Sequence, residues 1–354
     1  MDIVIGCDFH SRFQQLAIFD RATGELVERR LEHEGKEVEE FYRALPAATV
    51  AIEATAYTVW FQQLAERLGH ELVYGDAARL RAMMTRKQKT DRRDAEHLLR
   101  VYLGGQYPRV RIPTSQQRDL RQLLLHRYRV VQMRTRLKNG LHQIAMNHRL
   151  CRKSRLFTAA GRRELEALPL AGWERYRRQR LLAWLDELGE ELAVLDRAVA
   201  EQVAANPRCQ RLLGHPGVGP VTALAWEQIM GDCQRFPTSR HAASYLGLTP
   251  REASSGDRQR LGSITKQGSR FLRFLLVEAA QTAVRGDERL GRHYRRLAAR
   301  KRRPLAKVAV ARRLAERLYW MSKRNVAYAQ LKGGDAHASA SSRGPLACSQ
   351  RPSV

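Results

Sequence analysis

Residues 3–31 read IVIGCDFHSRFQQLAIFDRATGELVERRL, and the fold turns on how that run is divided. Three apolar segments, Ile3 to Cys7, Phe13 to Phe19 and Leu26 to Leu31, alternate with short polar stretches, and the turn residues Arg21 to Gly24 precede the third. Segments of this length, rich in β-branched and aromatic residues and bounded by turn signals, read as an antiparallel meander of strands. Downstream the pattern changes period: a helix is expected over 38–45, a strand over 49–52, a helix over 59–68, a strand over 71–74, and helices to about Gly104. A meander followed by alternating helix and strand predicts a mixed α/β layer rather than a purely parallel sheet.

The next stretch, GGQYPRVRIPTSQQR (104–118), carries two prolines and two glycines and reads as an extended connector, so the first domain is expected to end at 104. Beyond it LRQLLLHRYRVVQMRTRLKNGLHQI (120–144) reads as one long basic helix. Leu181, Leu185, Leu188, Leu192, Leu195 and Val199 then follow 4, 3, 4, 3, 4 spacing, the seam of a coiled coil. A seam this short suits an antiparallel hairpin within the chain as well as a zipper between two chains. A third domain is expected from Asn206-Pro207, over 206–325, after a helical middle at 105–205. The small, polar, proline-containing end of the chain (326–354) is expected to be disordered.

Composition points to the partner. The 354 residues carry a formal net charge of +27 and a pI near 10.8. Each Lys or Arg that meets a phosphate releases condensed counterions, so a polyanion is implied, nucleic acid first. No run approaches the roughly 18 to 20 apolar residues of a membrane span, and MDIVIGCDFH lacks the basic start and apolar core of a signal peptide. Five scattered cysteines with no C-x-x-C pair signal neither a disulfide framework nor a zinc site, and fit a reducing cytoplasm.

Four acids stand at element ends. Asp8 closes the first strand, Glu53 the fourth, and Asp91 and Asp94 open a helix whose apolar face is Ala95, Leu98, Leu99 and Tyr102. The i, i+3 spacing puts Asp91 and Asp94 on one side of that helix. If strands 1 and 4 are adjacent, Asp8 and Glu53 share their edge. Taken singly, each acid reads more simply as a cap or a solvated strand end. Taken together they repel unless divalent cations neutralise them, and hard oxygen ligands suit Mg²⁺ or Mn²⁺. Two ions so held can clamp the attacking and leaving oxygens of a phosphodiester.

The C-terminal third holds a second set. In HPGVGPVTA, Gly217 and Gly219 either make a tight helical turn or let backbone N–H groups approach a phosphate. In EASSGDRQRLGSITKQGSRFLR (252–273), Ser254 and Ser255 precede Arg258, Arg260, Lys266, Arg270 and Arg273, a set of cations suited to phosphate. From Arg285 to Arg324 fifteen Lys or Arg face three acids, Arg302 and Arg303 among them, which favours phosphate tracking over ordinary solubility. Tyr294, Tyr319 and Trp320 read as core.

Asp8, Glu53, Asp91 and Asp94, with AIEATAYTVW and RKQKTDRRDAEHL around them, resemble the DEDD tetrad of the transposases of bridge-RNA-guided insertion sequences, which are related to the Piv/MooV invertases. The segment from LLGHPGVGPV to FLRFLLVEAA resembles the C-terminal transposase domain of the same family, and the likeness spans roughly residues 3 to 325. The resemblance implies an RNase H-like, RuvC-type first domain, coiled-coil helices, and a mainly helical transposase domain with a helix-hairpin-helix. It implies that a serine directly before a glycine, Ser255 here with Ser254 as the alternative, attacks DNA to give a phosphoserine intermediate, and that the metal-holding tetrad assists from a composite site. It also implies a structured noncoding bridge RNA, donor and target DNA, a homo-oligomer (dimer or tetramer), and residence with the nucleoid in the cytoplasm. Two other readings stay open: a metal-dependent junction resolvase in which Ser255 only binds phosphate, and a nucleic-acid scaffold without catalysis.

Overall fold

In a computed structural model the described residues are 2–55, 57–84, 90–152, 154–253 and 260–331. The chain divides into two compact units, Met1–Thr114 and Ser115–Val354.

The first unit is built on one five-stranded sheet. Strands β1 (Ile3–Phe9), β2 (Phe13–Asp20) and β3 (Leu26–Glu32) form the expected meander, and β4 (Ala48–Glu53) and β5 (Glu71–Gly75) extend it. The order is β3-β2-β1-β4-β5, with β4 parallel to β1 and β5 parallel to β4, so the sheet is mixed. Alternation sorts the side chains to two faces. Ile5, Cys7 and Phe9 of β1 with Val50 and Ile52 of β4 join a core containing Tyr42 and Phe61, from helices α1 (Glu37–Ala44) and α2 (Val59–Leu68). On the opposite face Val4 packs with Ala95 and Leu99, and Ala51 with Leu80 and Leu98. Those partners belong to α3 (Ala77–Ala82) and α4 (Asp91–Leu103).

Gly6 decides how close α4 comes. A Cβ there would sit 2.2 Å from the Ala95 carbonyl oxygen and 2.6 Å from the Leu99 nitrogen, so the helix backbone lies directly on the β1 backbone. Gly6→Ala is expected to cost about 1–3 kcal/mol, the usual penalty of overpacking, because backbone cannot swing aside as a side chain can. Urea denaturation of the variant checks this; an unchanged midpoint would show that α4 gives way freely.

The connector does more than link. Tyr107 donates its hydroxyl to the Ile52 carbonyl at 2.9 Å, and the Val110 N–H reaches the Tyr74 carbonyl at 2.8 Å. Residues 105–112 are thereby laid back along β5, and the unit ends at Thr114.

The second unit is mainly helical. Helix α5 (Ser115–Asn147) and helix α7 (Gly172–Ala204), each 33 residues, pair as an antiparallel hairpin bridged by α6 (Ala159–Glu166). Leu141 and Ala145 meet Leu182 and Leu185 near one end, and Val130 meets Leu192 and Leu195 farther along. The heptad seam is thus closed within the chain. Helices α8 (Pro207–Leu213), α9 (Pro220–Met230), α10 (Ser239–Tyr245), α11 (Arg270–Gly286), α12 (Glu288–Ala298) and α13 (Arg303–Arg324) gather around the fully buried Trp226 and Tyr319. Trp226 donates its indole N–H to Ser322 Oγ at 3.0 Å and Tyr319 its hydroxyl to the Phe236 carbonyl at 2.9 Å, so both bury their polar atoms satisfied. Tyr294 and Trp320 pack partly buried against this core. A two-stranded hairpin, β6 (Pro250–Glu252) with β7 (Leu261–Ile264), stands between α10 and α11. Among the described residues no helix is long and apolar enough to cross a membrane.

Candidate active site

The parallel register of β1 and β4 runs to Cys7 opposite Ile52, so Asp8 and Glu53 are the next positions outward on adjacent strands. Asp8 is two residues beyond Gly6 and Glu53 two beyond Ala51, which puts both on the face that α4 covers. Helix α4 starts here. Thr90 caps it, its hydroxyl accepting the Arg93 N–H, and Asp91 and Asp94 occupy the first turn. With α4 seated on Gly6, that first turn comes down at the carboxyl edge of the sheet.

The geometry brings in a residue that sequence reasoning missed. His10 Nε2 lies 3.0 Å from Asp8 Oδ2 and 3.5 Å from Asp91 Oδ1. One ligand atom from each of Asp8, His10 and Asp91 falls within 4.8 Å of the others. The imidazole is held flat against Phe13, with ring centroids 4.5 Å apart. Burial raises the Asp8 carboxyl above its ordinary pKa; the His10 charge and hydrogen bond pull the other way, while Asp94 and then Asp91 add to the rise. Asp94 therefore shares the electrostatic site of Asp8, although it is outside the tight trio. Glu53 lies at the same sheet edge. Its charge joins burial and Cys7 in pushing the Tyr107 phenol well above its usual range.

This donor set fits a divalent cation. Ligands at about 2.0–2.6 Å from one ion stand no more than roughly 5 Å apart, which the 4.8 Å span satisfies. The carboxylates suit a hard divalent ion.

In the second unit, Ser254, Ser255, Gly256 and Arg258 lie outside the described residues. On either side of them β6 and β7 pair, and the Ala253 N–H reaches the Arg260 carbonyl at 2.9 Å. Below this stem two backbone segments cross. A Cβ on Gly247 would meet Gln267 O at 2.3 Å, and one on Gly268 would meet Tyr245 O at 2.0 Å, both glycines having positive φ. Arg273 locks the crossing, its Nη1 donating to the carbonyls of Leu246 at 3.1 Å, Gly268 at 3.2 Å, and Gln267. One guanidinium nitrogen, Nη1, is thus engaged by carbonyls of the fold. Arg260, Lys266 and Arg270 are exposed on the stem and at the start of α11, and Arg302 and Arg303 are exposed at the start of α13.

The two glycines of the 214–219 turn differ. Gly217, with φ +88°, faces α11, where a Cβ would meet Ala279 O at 2.4 Å, so its missing side chain serves packing. Gly219 caps α9 and opens to free space.

Comparison with known proteins covers both units. Residues 5–147 match an IS110-type DEDD transposase family, and residues 209–295 the transposase family of IS116, IS110 and IS902. A probable family 20 transposase of Pseudomonas aeruginosa is 31% identical over 286 residues, 79% of this chain and 84% of that protein. The transposase for insertion sequence element IS1111A of Coxiella burnetii is 32% identical over 209 residues, 56% of each chain. The putative transposase y4pF/y4sB of Sinorhizobium fredii is 28% identical over 349 residues, 94% of this chain and 87% of that protein.

Proposed function

This chain belongs to the IS110/IS116/IS902 family of transposases, and on that premise we propose that it is an RNA-guided DNA recombinase that cuts and rejoins strands through Ser255, assisted by a metal held at Asp8, Asp91, Asp94 and Glu53. The observation that carries this reading is the meeting of Asp8, His10 and Asp91 within 4.8 Å at the edge of two parallel strands, beside Asp94. A meander followed by two parallel strands also supports an RNase H-like, RuvC-type reading of the first unit. Helices α8 and α9 around the Gly217–Gly219 turn support a helix-hairpin-helix, with Gly219 as its open position.

In this mechanism the Ser255 Oγ–phosphorus bond forms as a phosphorus–deoxyribose oxygen bond breaks, and the serine proton ends on the departing oxygen. Rejoining reverses the step with the hydroxyl of a second strand as attacker, and strand exchange passes through a branched junction. When bound, Mg²⁺ or Mn²⁺ supplies charge that offsets the developing negative charge on phosphate oxygens. His10 holds the Asp8 and Asp91 carboxylates in register. Arg260, Lys266 and Arg270 bind backbone phosphates, and Arg302 and Arg303 extend the track. The partners are donor and target DNA and a structured noncoding bridge RNA, met by a homo-oligomer in the nucleoid.

The test is a covalent adduct. Incubation with donor and target duplexes, guide RNA and Mn²⁺, followed by denaturation and digestion, is expected to yield a nucleotide-bearing peptide with its phosphate on Ser255. Phosphate on Ser254 would move the nucleophile by one residue. Cleaved DNA with no adduct would replace the covalent step by hydrolysis, as in a junction resolvase.

A further inference from the structure

Helix α7 changes character along its length. From Gly172 to Trp184 it carries four arginines against one acid, whereas from Leu185 to Ala204 it carries six acids against one arginine. The cationic part also holds the most exposed tryptophan among the described residues: Trp173 is 83% exposed, Tyr176 53% and Trp184 43%. Apolar rings in water at this density, on one helix, mark a surface that something covers.

These residues share a stripe. Positions 173, 176, 177, 180 and 184 are spaced 3, 1, 3 and 4, which places Trp173, Tyr176, Arg177, Arg180 and Trp184 on one helical face. Trp173 and Tyr176 meet edge to face with centroids 5.6 Å apart, and the Arg180 guanidinium lies over Trp184 at 5.2 Å. Among the described residues Arg177 and Arg180 form no ion pair. The face belongs to the end of the hairpin where α7 begins and α5 ends, about 50 Å of helix from the opposite end at 1.5 Å per residue.

We propose that this face is a nucleic-acid docking site at which Trp173 and Tyr176 stack on unpaired bases while Arg177 and Arg180 hold the flanking phosphates. Bare aromatic faces interleaved with arginine are the chemistry of single-strand recognition, since every base offers a π-face and every link a charge. The exposed rings, confined to the first turns of α7, place the contact at the hairpin's end. A second copy of the chain suits the stripe poorly: a two-fold contact would set the same arginines against one another. The inference is independent of the serine chemistry and of the acid cluster, and concerns a separate face of the molecule.

The test uses the full chain with fluorescently labelled stem-loop probes, one of RNA and one of DNA, and a blunt duplex of equal charge. Trp173→Ala/Tyr176→Ala is expected to weaken stem-loop binding about 10- to 100-fold and to leave duplex binding nearly unchanged. Trp173→Phe/Tyr176→Phe should restore the affinity, because phenylalanine still stacks. Arg177→Glu/Arg180→Glu should weaken both probes and flatten the salt dependence by about one unit of slope for each phosphate no longer bound. Whichever stem-loop binds more tightly identifies the strand that docks. Unchanged stem-loop affinity in the double alanine variant, or equal weakening toward duplex, would overturn the proposal. So would a fall in molar mass by light scattering with affinity intact, which would assign the face to a second copy.

Discussion

Asp8→Asn is expected to lower DNA strand cleavage by about a thousandfold while leaving the first unit as stable as the parent, or more so. The loss follows from the place of the carboxylate. It is one of three ligand atoms within 4.8 Å, and an amide holds a divalent cation far less well than a carboxylate. A bound ion contributes several kcal/mol to a phosphoryl transition state, and each 1.36 kcal/mol is tenfold in rate. The stability sign runs the other way. Burial already disfavours the charged form of Asp8, and Asp94 and Asp91 repel it, so a neutral isostere relieves strain that the fold carries for function. His10 keeps an acceptor in the new side chain. Cleavage of labelled duplex and urea denaturation, read side by side, check both halves; cleavage at the parental rate would remove Asp8 from the reaction.

Asp287→Ala is expected to cost the second unit about 3–5 kcal/mol, the largest stability effect of any single change considered for it. Asp287 is fully buried where α11 ends and α12 begins. Its carboxylate accepts the Leu290 N–H at 2.8 Å, capping α12, and also binds Tyr328 and Arg317. Alanine would strand a half-buried guanidinium and uncap the helix together, the second adding about 1 kcal/mol. Asp287→Asn, which keeps the cap and loses only the charge, should cost less. The pH dependence has a definite sign. Burial pushes the Asp287 pKa up, but the hydrogen bonds from Tyr328 and the Leu290 N–H, with the Arg317 charge, bring it below the ordinary carboxylate value. A depressed folded pKa means that the stabilisation is complete above the unfolded value, about 3.9, and drains away as pH falls through the lower folded one. The parent should thus lose more stability on acidification through this range than Asp287→Asn does. Equal acid sensitivity of the two would show that Asp287 is not ionised in the native state.

The sheet was legible because its signals are local. Strands β1, β2 and β4 are apolar runs that include β-branched or aromatic residues, and they fall within one or two residues of the expected bounds. Helix α4 was legible from its acids and its Ala95, Leu98, Leu99 face. What could not be read was contact across the chain. Nothing in the string ties His10 to Asp91, more than eighty residues on, since a lone histidine after a strand has no periodicity. The D-F-H sequence at the strand exit, two residues from an acid, was the one available signal. Strands β6 and β7 escaped because they are short and exposed, with no buried alternation to mark them. The anchoring role of Arg273 Nη1 was not legible because a sequence gives charge and not destination, and its carbonyl partners become neighbours only once the Gly247 and Gly268 segments cross. The seam of α7 was plain, yet only the partner helix α5 tells a hairpin from a zipper.

The bare backbone contact at Gly6 has a use outside this molecule. In any sequence of this pattern, acid residues alone are poor evidence of a gathered site, since aspartate and glutamate favour exposed positions such as strand ends. A sequence that kept all four acids but acquired a side chain two positions before the first would hold α4 off the strand unless the backbone shifted. The glycine of Gly6-Cys7-Asp8 therefore carries information that the acid it precedes does not, because it reports whether α4 can lie directly on β1.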